Sequence, residues 1–293
     1  MKARFVSLIA HLLSLLPLRL NRALGASIAR IAYLLRTRER RITKVNIALC
    51  YPDKSDSEQA EMVYQSLLHT GRQLTECAWI WNRPASTTHG LIREIKGEQL
   101  LREALASSRG LILVSPHIGN WELCSLELSR SAPFTYFYRS PRNQALEPLL
   151  LKWRAHLGGQ PASLDSAGIR AGLRILKKGG TVGILPDQEP DRENGVFAPF
   201  FNHPALTMTL LPRLATRSNA QVIFTVSERL PGAQGWRLHY LPADTTAYHD
   251  QPVESATAVN KNVERCIAIC PEQYLWSYKR FDTPEDGTAQ QYS

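Results

Sequence analysis

An imidazole and a carboxylate stand close together at the end of an apolar run, in "LILVSPHIGNWE" (111–122): His117 and Glu122, with Asn120 and Trp121 between them. A carboxylate beside an imidazole fixes its tautomer and stabilises its cation, the pairing a general base needs. On a continuous helix, positions five apart diverge by about 140°. With Asn120 as an N-cap, Trp121 and Glu122 enter the first helical turn and His117 precedes it, so the two side chains can converge. Such a dyad activates an external hydroxyl, a triad without an internal nucleophile. No G-x-S-x-G elbow supplies a serine. The first amides of the helix could help hold a developing oxyanion. Spacing alone leaves three other readings open. Cys124 could be a covalent nucleophile. His117 and Glu122 could bind a metal, although no H-E-x-x-H pattern or third ligand accompanies them. His117 could simply cap a helix, with Glu122 serving its dipole.

These residues need elements to hold them. "LVSP" closes a strand at 110–115, followed by a short helix from about Asn120 to Arg130. Further strands are expected at 134–138, 181–185, 220–228 and 236–241. Helices are expected at 57–82 (N-cap Ser57), 98–108, 147–157, 167–180 and 253–269. Strands alternating with helices of this length predict an α/β fold: a single catalytic domain with a central, mostly parallel or mixed sheet covered by helices. Ligands of such sheets bind beyond the carboxyl ends of strands. "PHIGNWE" and "PDQEPDRENG" end two of these strands, and Arg139 and Arg142 follow a third.

The first 45 residues differ in character. "FVSLIAHLLSLLPL" (5–18) is almost continuously apolar, with Arg4, Ser7, His11 and Ser14 forming one narrow polar stripe. Leu20, Leu24, Ile28, Ile31 and Leu35 make an apolar stripe on a second helix, with Arg22, Arg30 and Arg36 off it. The apolar run is short for a membrane span, which needs about 20 residues. The pattern predicts a helical membrane-associating region at 1–45 that lies in an interface against anionic lipid, ahead of a catalytic domain at 46–293. A signal peptide and an ordinary helical hairpin packed on the domain are the competing readings.

Composition narrows the classes. The chain has 293 residues, is 44% hydrophobic and carries a net charge of +9, which permits a large core and favours anionic partners. Five scattered cysteines argue against a disulfide framework and for a reducing compartment. The aromatic residues fall in core-like runs, no nucleic-acid or nucleotide motif is present, and nucleic acid is not expected as a partner.

"HIGNWE" resembles the His-x4-acid block of glycerolipid acyltransferases, and in particular of the late (secondary) acyltransferases of lipid A biosynthesis. The likeness continues in order through "YRSPRN" (138–143), "WRAHLGG" (153–159), "ILKKGGTVGILPDQ" (175–188), "GVFAPFFNHPALT" (195–207) and "PEQYLWSYKRF" (271–281). Ser140, Asn202, Ser277 and Tyr278 depart from the family's usual residues. The resemblance implies transfer of a fatty acyl chain from a thioester on acyl carrier protein to the hydroxyl of a 3-hydroxyacyl chain on a lipid A precursor. The expected place is the cytoplasmic face of the cell inner membrane, and neither cofactor nor metal is expected. By this reading His117 is the base and Glu122 its orienter. Arg139 and Arg154 bind phosphates or polarise the carbonyl, and Asn120, Asp187 and Gln188 help bind substrate. Phe197, Phe200 and Phe201 line an acyl groove or pack in the core. Two alternatives remain at this stage: an acyltransferase for another lipid acceptor, and a non-catalytic lipid- or nucleic-acid-binding protein.

Overall fold

The computed structural model describes every residue except Met1, Arg142, Ala247, Asp250, 286–290 and Ser293, and leaves aside the side chains of Lys2, Arg130 and Ser131. The chain opens with helices α1 (Lys2–Leu15), α2 (Leu18–Leu34), α3 (Arg38–Cys50), α4 (Asp56–Asn82) and α5 (Ala85–His89). An alternating region follows: β1 (Ile92–Lys96), α6 (Glu98–Ala106), β2 (Leu111–Val114), α7 (Glu122–Ser131), β3 (Phe134–Tyr138), α8 (Glu147–His156), β4 (Gly159–Ser163), α9 (Ser166–Lys177) and β5 (Thr181–Ile184). The hairpin β6 (Gly195–Phe200) and β7 (His203–Met208) comes next, then α10 (Leu210–Ser218), β8 (Gln221–Arg229), β9 (Trp236–Pro242) and α11 (Pro252–Ile267).

One seven-stranded sheet has the order β1-β9-β8-β2-β5-β3-β4. All neighbours are parallel except β8 and β9. This is the expected α/β domain with a mostly parallel sheet. Side chains alternate between its faces. Ile112, Val114, Val182 and Ile184 join the larger core beneath α9, α10 and α11. Leu111, Leu113, Phe134, Tyr136 and Ile223 face the other way, under α6 and α7. All four residues of β2 are therefore buried, which is why it reads as an unbroken apolar run.

The sheet forks where its site lies. β5 pairs with β2 as far as Val114↔Ile184. Its pairing with β3 ends earlier, at Tyr136↔Gly183, while β3 stays with β4 to Tyr138↔Ser163. β3 and β5 thus part at their carboxyl ends.

The helix α4 is the bracket for the N-terminal region. Its cap is Ser55, not Ser57: Ser55 and Glu58 form a reciprocal capping box. α2 meets α4 backbone to backbone, since a side chain on Gly25 would come within 2.4 Å of the Gly71 carbonyl oxygen. The expected division at 45/46 falls inside α3, whose Ile42 and Ile47 both join the large core.

The apolar stripe of α2 points outward. Leu20, Leu24, Ile28 and Ile31 are 40–57% exposed, and Phe5, Leu8, Ile9, Leu12 and Leu15 of α1 are exposed as well. Among the described residues, all but three of the exposed large apolar side chains lie in residues 5–35. The buried side of α2 holds Asn21, Arg22, Gly25, Ala26 and Ala29. Arg22 is therefore not a lipid-facing residue as expected from its position off the stripe. It is buried against Glu76 at 2.5 Å. No helix among the described residues is long and apolar enough to cross a membrane.

Candidate active site

A cavity of about 500 Å³ opens where β3 and β5 diverge. His117, Glu122, Arg139, Arg154 and Gln188 reach its wall. Asp187 and Asn120 are buried behind it.

His117 lies in the turn after β2, before α7, as the spacing predicts. That turn is pinned at each residue. The His117 backbone N–H donates to Asp187 Oδ2 (2.9 Å), and its carbonyl accepts from the Leu275 N–H (2.9 Å). Gly119 has φ +61° and packs so closely on the Ser227 carbonyl that no side chain fits there. The Asn120 N–H donates to that same Ser227 carbonyl.

The carboxylate that meets the imidazole is Asp187. Its Oδ1 lies 2.8 Å from His117 Nδ1. This differs from the expected His117–Glu122 dyad. Asp187 sits at the end of β5, the direct neighbour of β2, so the parallel pairing delivers it beside His117 across 70 residues of sequence. Glu122, the first residue of α7, faces elsewhere. Arg154 Nη2 donates to Glu122 Oε1 at 2.8 Å, and Trp81 Nε1 donates to Oε2 at 3.3 Å. Burial disfavours the Asp187 anion, but the His117 charge and hydrogen bonds outweigh it and hold the carboxyl below its ordinary value. In the neutral imidazole, Nδ1–H directed at Asp187 leaves the lone pair on Nε2. The Gln188 amide nitrogen is 3.2 Å from it, and the Trp121 ring stands edge-on to the imidazole. The charge of Glu122 raises the pKa of Arg154, so this guanidinium stays a cation.

The remaining expected residues separate. Arg139 is exposed at the cavity rim, paired with Asp191 at 3.0 Å. Arg142 lies outside the described residues. Asn120 neither caps α7 nor reaches substrate space. The cap position is Trp121, and Asn120 Nδ2 donates to Glu76 Oε2 at 3.1 Å. The α7 amides of Leu123 and Cys124 are bonded to the carbonyls of Asn120 and Trp121, so an oxyanion gains nothing from those two. Phe200 is fully buried and packs with Phe201, Tyr274 and Phe281. These phenylalanines belong to the core, and the cavity wall does not include them. Cys124 lines the cavity, but burial raises its thiol pKa, which disfavours a nucleophilic thiolate.

Three departures from the family blocks acquire local reasons. Ser140 donates to Glu147 Oε1 at 2.6 Å. Asn202 occupies the left-handed region at φ +65° in the β6–β7 turn, a conformation asparagine tolerates nearly as glycine does. The Tyr278 hydroxyl accepts from the Glu189 N–H at 2.9 Å, behind Gln188.

Behind the His117 turn lies a second charged cluster. Glu76, fully buried on α4, accepts from Arg22, from Arg229 (2.8 and 2.7 Å) and from Asn120. Arg22 also donates to the Leu230 and Gly235 carbonyls. No sequence signal pointed to this cluster or to Trp81. A carboxylate in mid-helix looks like a solvated one until its face is known.

Fold and site together define an α/β protein with a histidine–aspartate pair at the carboxyl end of a central strand, beside a deep cavity. The family model for bacterial lipid A biosynthesis acyltransferases matches residues 3–283, and the chain belongs to that family. It is 31% identical over 282 residues to the lipid A biosynthesis lauroyltransferase of Escherichia coli (strain K12), covering 94% of this chain and 90% of the relative. It is 28% identical over 270 residues to the lipid A biosynthesis palmitoleoyltransferase of the same organism, covering 92% and 87%. A crystal structure of the 1-acyl-sn-glycerophosphate acyltransferase of Thermotoga maritima aligns with 80% of this chain and 98% of that one, at 14% identity and a TM-score of 0.38. The protein is an acyltransferase, which removes the non-catalytic binding reading.

Proposed function

We propose that the protein transfers a fatty acyl chain from acyl carrier protein to the hydroxyl of a 3-hydroxyacyl chain on a lipid A precursor. The observation that carries the reading is the oriented imidazole: His117 Nδ1 held by Asp187, with Nε2 turned to a cavity. The acceptor hydroxyl replaces Gln188 at Nε2 and gives up its proton there. Asp187 stabilises the imidazolium without taking the proton. The alkoxide attacks the thioester carbonyl and forms the new C–O bond. Arg154, fixed by Glu122, supports the negative charge on the tetrahedral oxygen. The C–S bond then breaks, and the carrier's thiolate takes the proton back from His117. No acyl-enzyme is needed.

Glu122 therefore acts through Arg154 rather than through His117. Arg139 at the rim suits an acceptor phosphate, matching it in bidentate fashion. The exposed apolar side chains of α1 and α2, with Arg30 and the net charge of +9, support membrane association of the N-terminal region at the cytoplasmic face of the inner membrane. The same charge steers an acidic carrier protein.

The test is mass spectrometry of a lipid A precursor incubated with purified protein and acyl-loaded carrier protein. A gain of one acyl mass is expected with the wild type and not with His117→Ala. A gain only on lysophospholipids or aminolipids would reassign the acceptor.

A further inference from the structure

We propose that Gly183 sets the longest acyl chain the enzyme transfers, by leaving a gap in an otherwise filled row of side chains. This rests on the thioester reading above. The row crosses the sheet one level below the fork: Ile223, Leu113, Gly183 and Tyr136 stand in register on β8, β2, β5 and β3. Ile223, Leu113 and Tyr136 are buried at 2%, 4% and 7% exposure. Gly183, in the middle of the same sheet, is only half-buried, and it lines the cavity. The cavity therefore runs down the face of β5 to the level of Gly183, which pairs with Leu113 on β2, below the turn that carries His117.

The opposite wall is built to match. α7 runs back from the mouth over this face, and residues three or four apart share one side of a helix. Glu122, Ser125 and Leu128 all line the cavity. The order down the helix is charged at the mouth, small at mid-depth and large at the bottom. Ser125 is half-buried, whereas Leu128 is fully buried in the cluster that includes Leu113, Phe134 and Tyr136. Two small residues, one on each wall, keep the middle of the cavity open, and Leu128 and Phe134 close it.

The occupant is the donor's chain. An acceptor that is a membrane lipid already has the bilayer for its chains. A chain drawn from a water-soluble carrier needs a dry pocket beneath the attacked carbonyl. At the lower end of this pocket Leu113, Leu128 and Phe134 offer a saturated chain apolar contact.

The sequence allows a clean test. A Cβ added at Gly183 meets nothing nearer than 3.5 Å, the Cβ of Tyr136, which is ordinary contact, and its φ is not left-handed. Gly183→Ala therefore folds, and it reduces unfolded-state freedom. Full-length wild type, Gly183→Ala, Gly183→Val and Ser125→Leu are each given a mixture of carrier-protein thioesters graded in chain length, with one lipid A precursor. Products are resolved by mass, and thermal unfolding verifies folding. The expected result is a shift to shorter transferred chains, graded from Ala to Val and reproduced by Ser125→Leu. The long-to-short ratio of kcat/KM should fall by roughly tenfold or more, the scale of a methylene or two in an apolar pocket. Transfer with the wild-type length profile in the folded variants would overturn the gauge while leaving the reaction standing. So would a changed preference among acceptor chains at an unchanged donor profile. No transfer by wild type from any donor would overturn the reaction and the gauge together.

Discussion

Two clusters of acidic and basic side chains lie on either side of one turn. On the cavity side stand His117 with Asp187 and Glu122 with Arg154. On the inner side stand Glu76 with Arg22 and Arg229, touching the same turn through Asn120. Residue types and hydrogen-bond lengths are alike. The difference is access. His117 and Arg154 keep 14% and 29% of their side chains open, while Glu76 keeps none and Arg229 only 2%. A charge pair that substrate can reach can act on substrate. A sealed one ties α2, α4, β8 and the His117 turn together, with its desolvation offset only while every partner is present. Chemistry and scaffold here are distinguished by the cavity, not by composition.

That contrast can be broken at several points. The largest effect is expected at His117: His117→Ala should lower acyl transfer by roughly 10²–10⁴-fold while leaving thermal unfolding near that of wild type. The sealed cluster should do the reverse. Glu76→Gln strands two buried guanidinium groups and should cost about 3–5 kcal/mol in denaturant unfolding. Its folded fraction should still transfer acyl chains far better than His117→Ala. Comparable loss of turnover in fully folded Glu76→Gln would erase the distinction. Arg154→Gln should lower kcat by about 10²–10³-fold, as loss of one oxyanion partner does, with KM for the carrier thioester changing less.

The smallest effect concerns pH. Burial and the neighbouring Arg229 and Arg72 push the His69 imidazole down to about 2. Its unfolded value is about 6.5. The folded state thus refuses a proton that the unfolded chain accepts, so stability present above about pH 6.5 is lost as the pH falls toward the folded value. The unfolding temperature should fall between about pH 7 and pH 5, and His69→Gln should flatten that slope. A slope unchanged in the variant would move its origin to other groups.

Legibility in the sequence followed burial. Strands β2, β3 and β5 read clearly because both of their faces need apolar residues. β4, "GQPAS", carries glycine and proline on the sheet edge and no β-branched residue, so its sequence gives no strand signal. β1, the other edge, is short and mostly polar. His117 was legible because a strand-ending histidine before a helix is local. Its true carboxylate partner was not, because strand order brings β5 beside β2 and periodicity does not carry strand order. Glu122, near in sequence, was the natural choice and pairs with Arg154 instead. The apolar stripe on α2 is plain in the sequence, but its outward direction is set by the Gly25–Gly71 contact, which fixes the side that meets α4.

The central claim is that His117 and Asp187 act as one unit and Glu122 does not belong to it. A double-mutant cycle on the transfer rate measures this directly. Asp187→Asn should slow the wild type strongly and add almost nothing in a His117→Ala background. Losses that multiply across the two substitutions, together with a Glu122→Gln loss that vanishes in that background, would contradict it and return the role to Glu122.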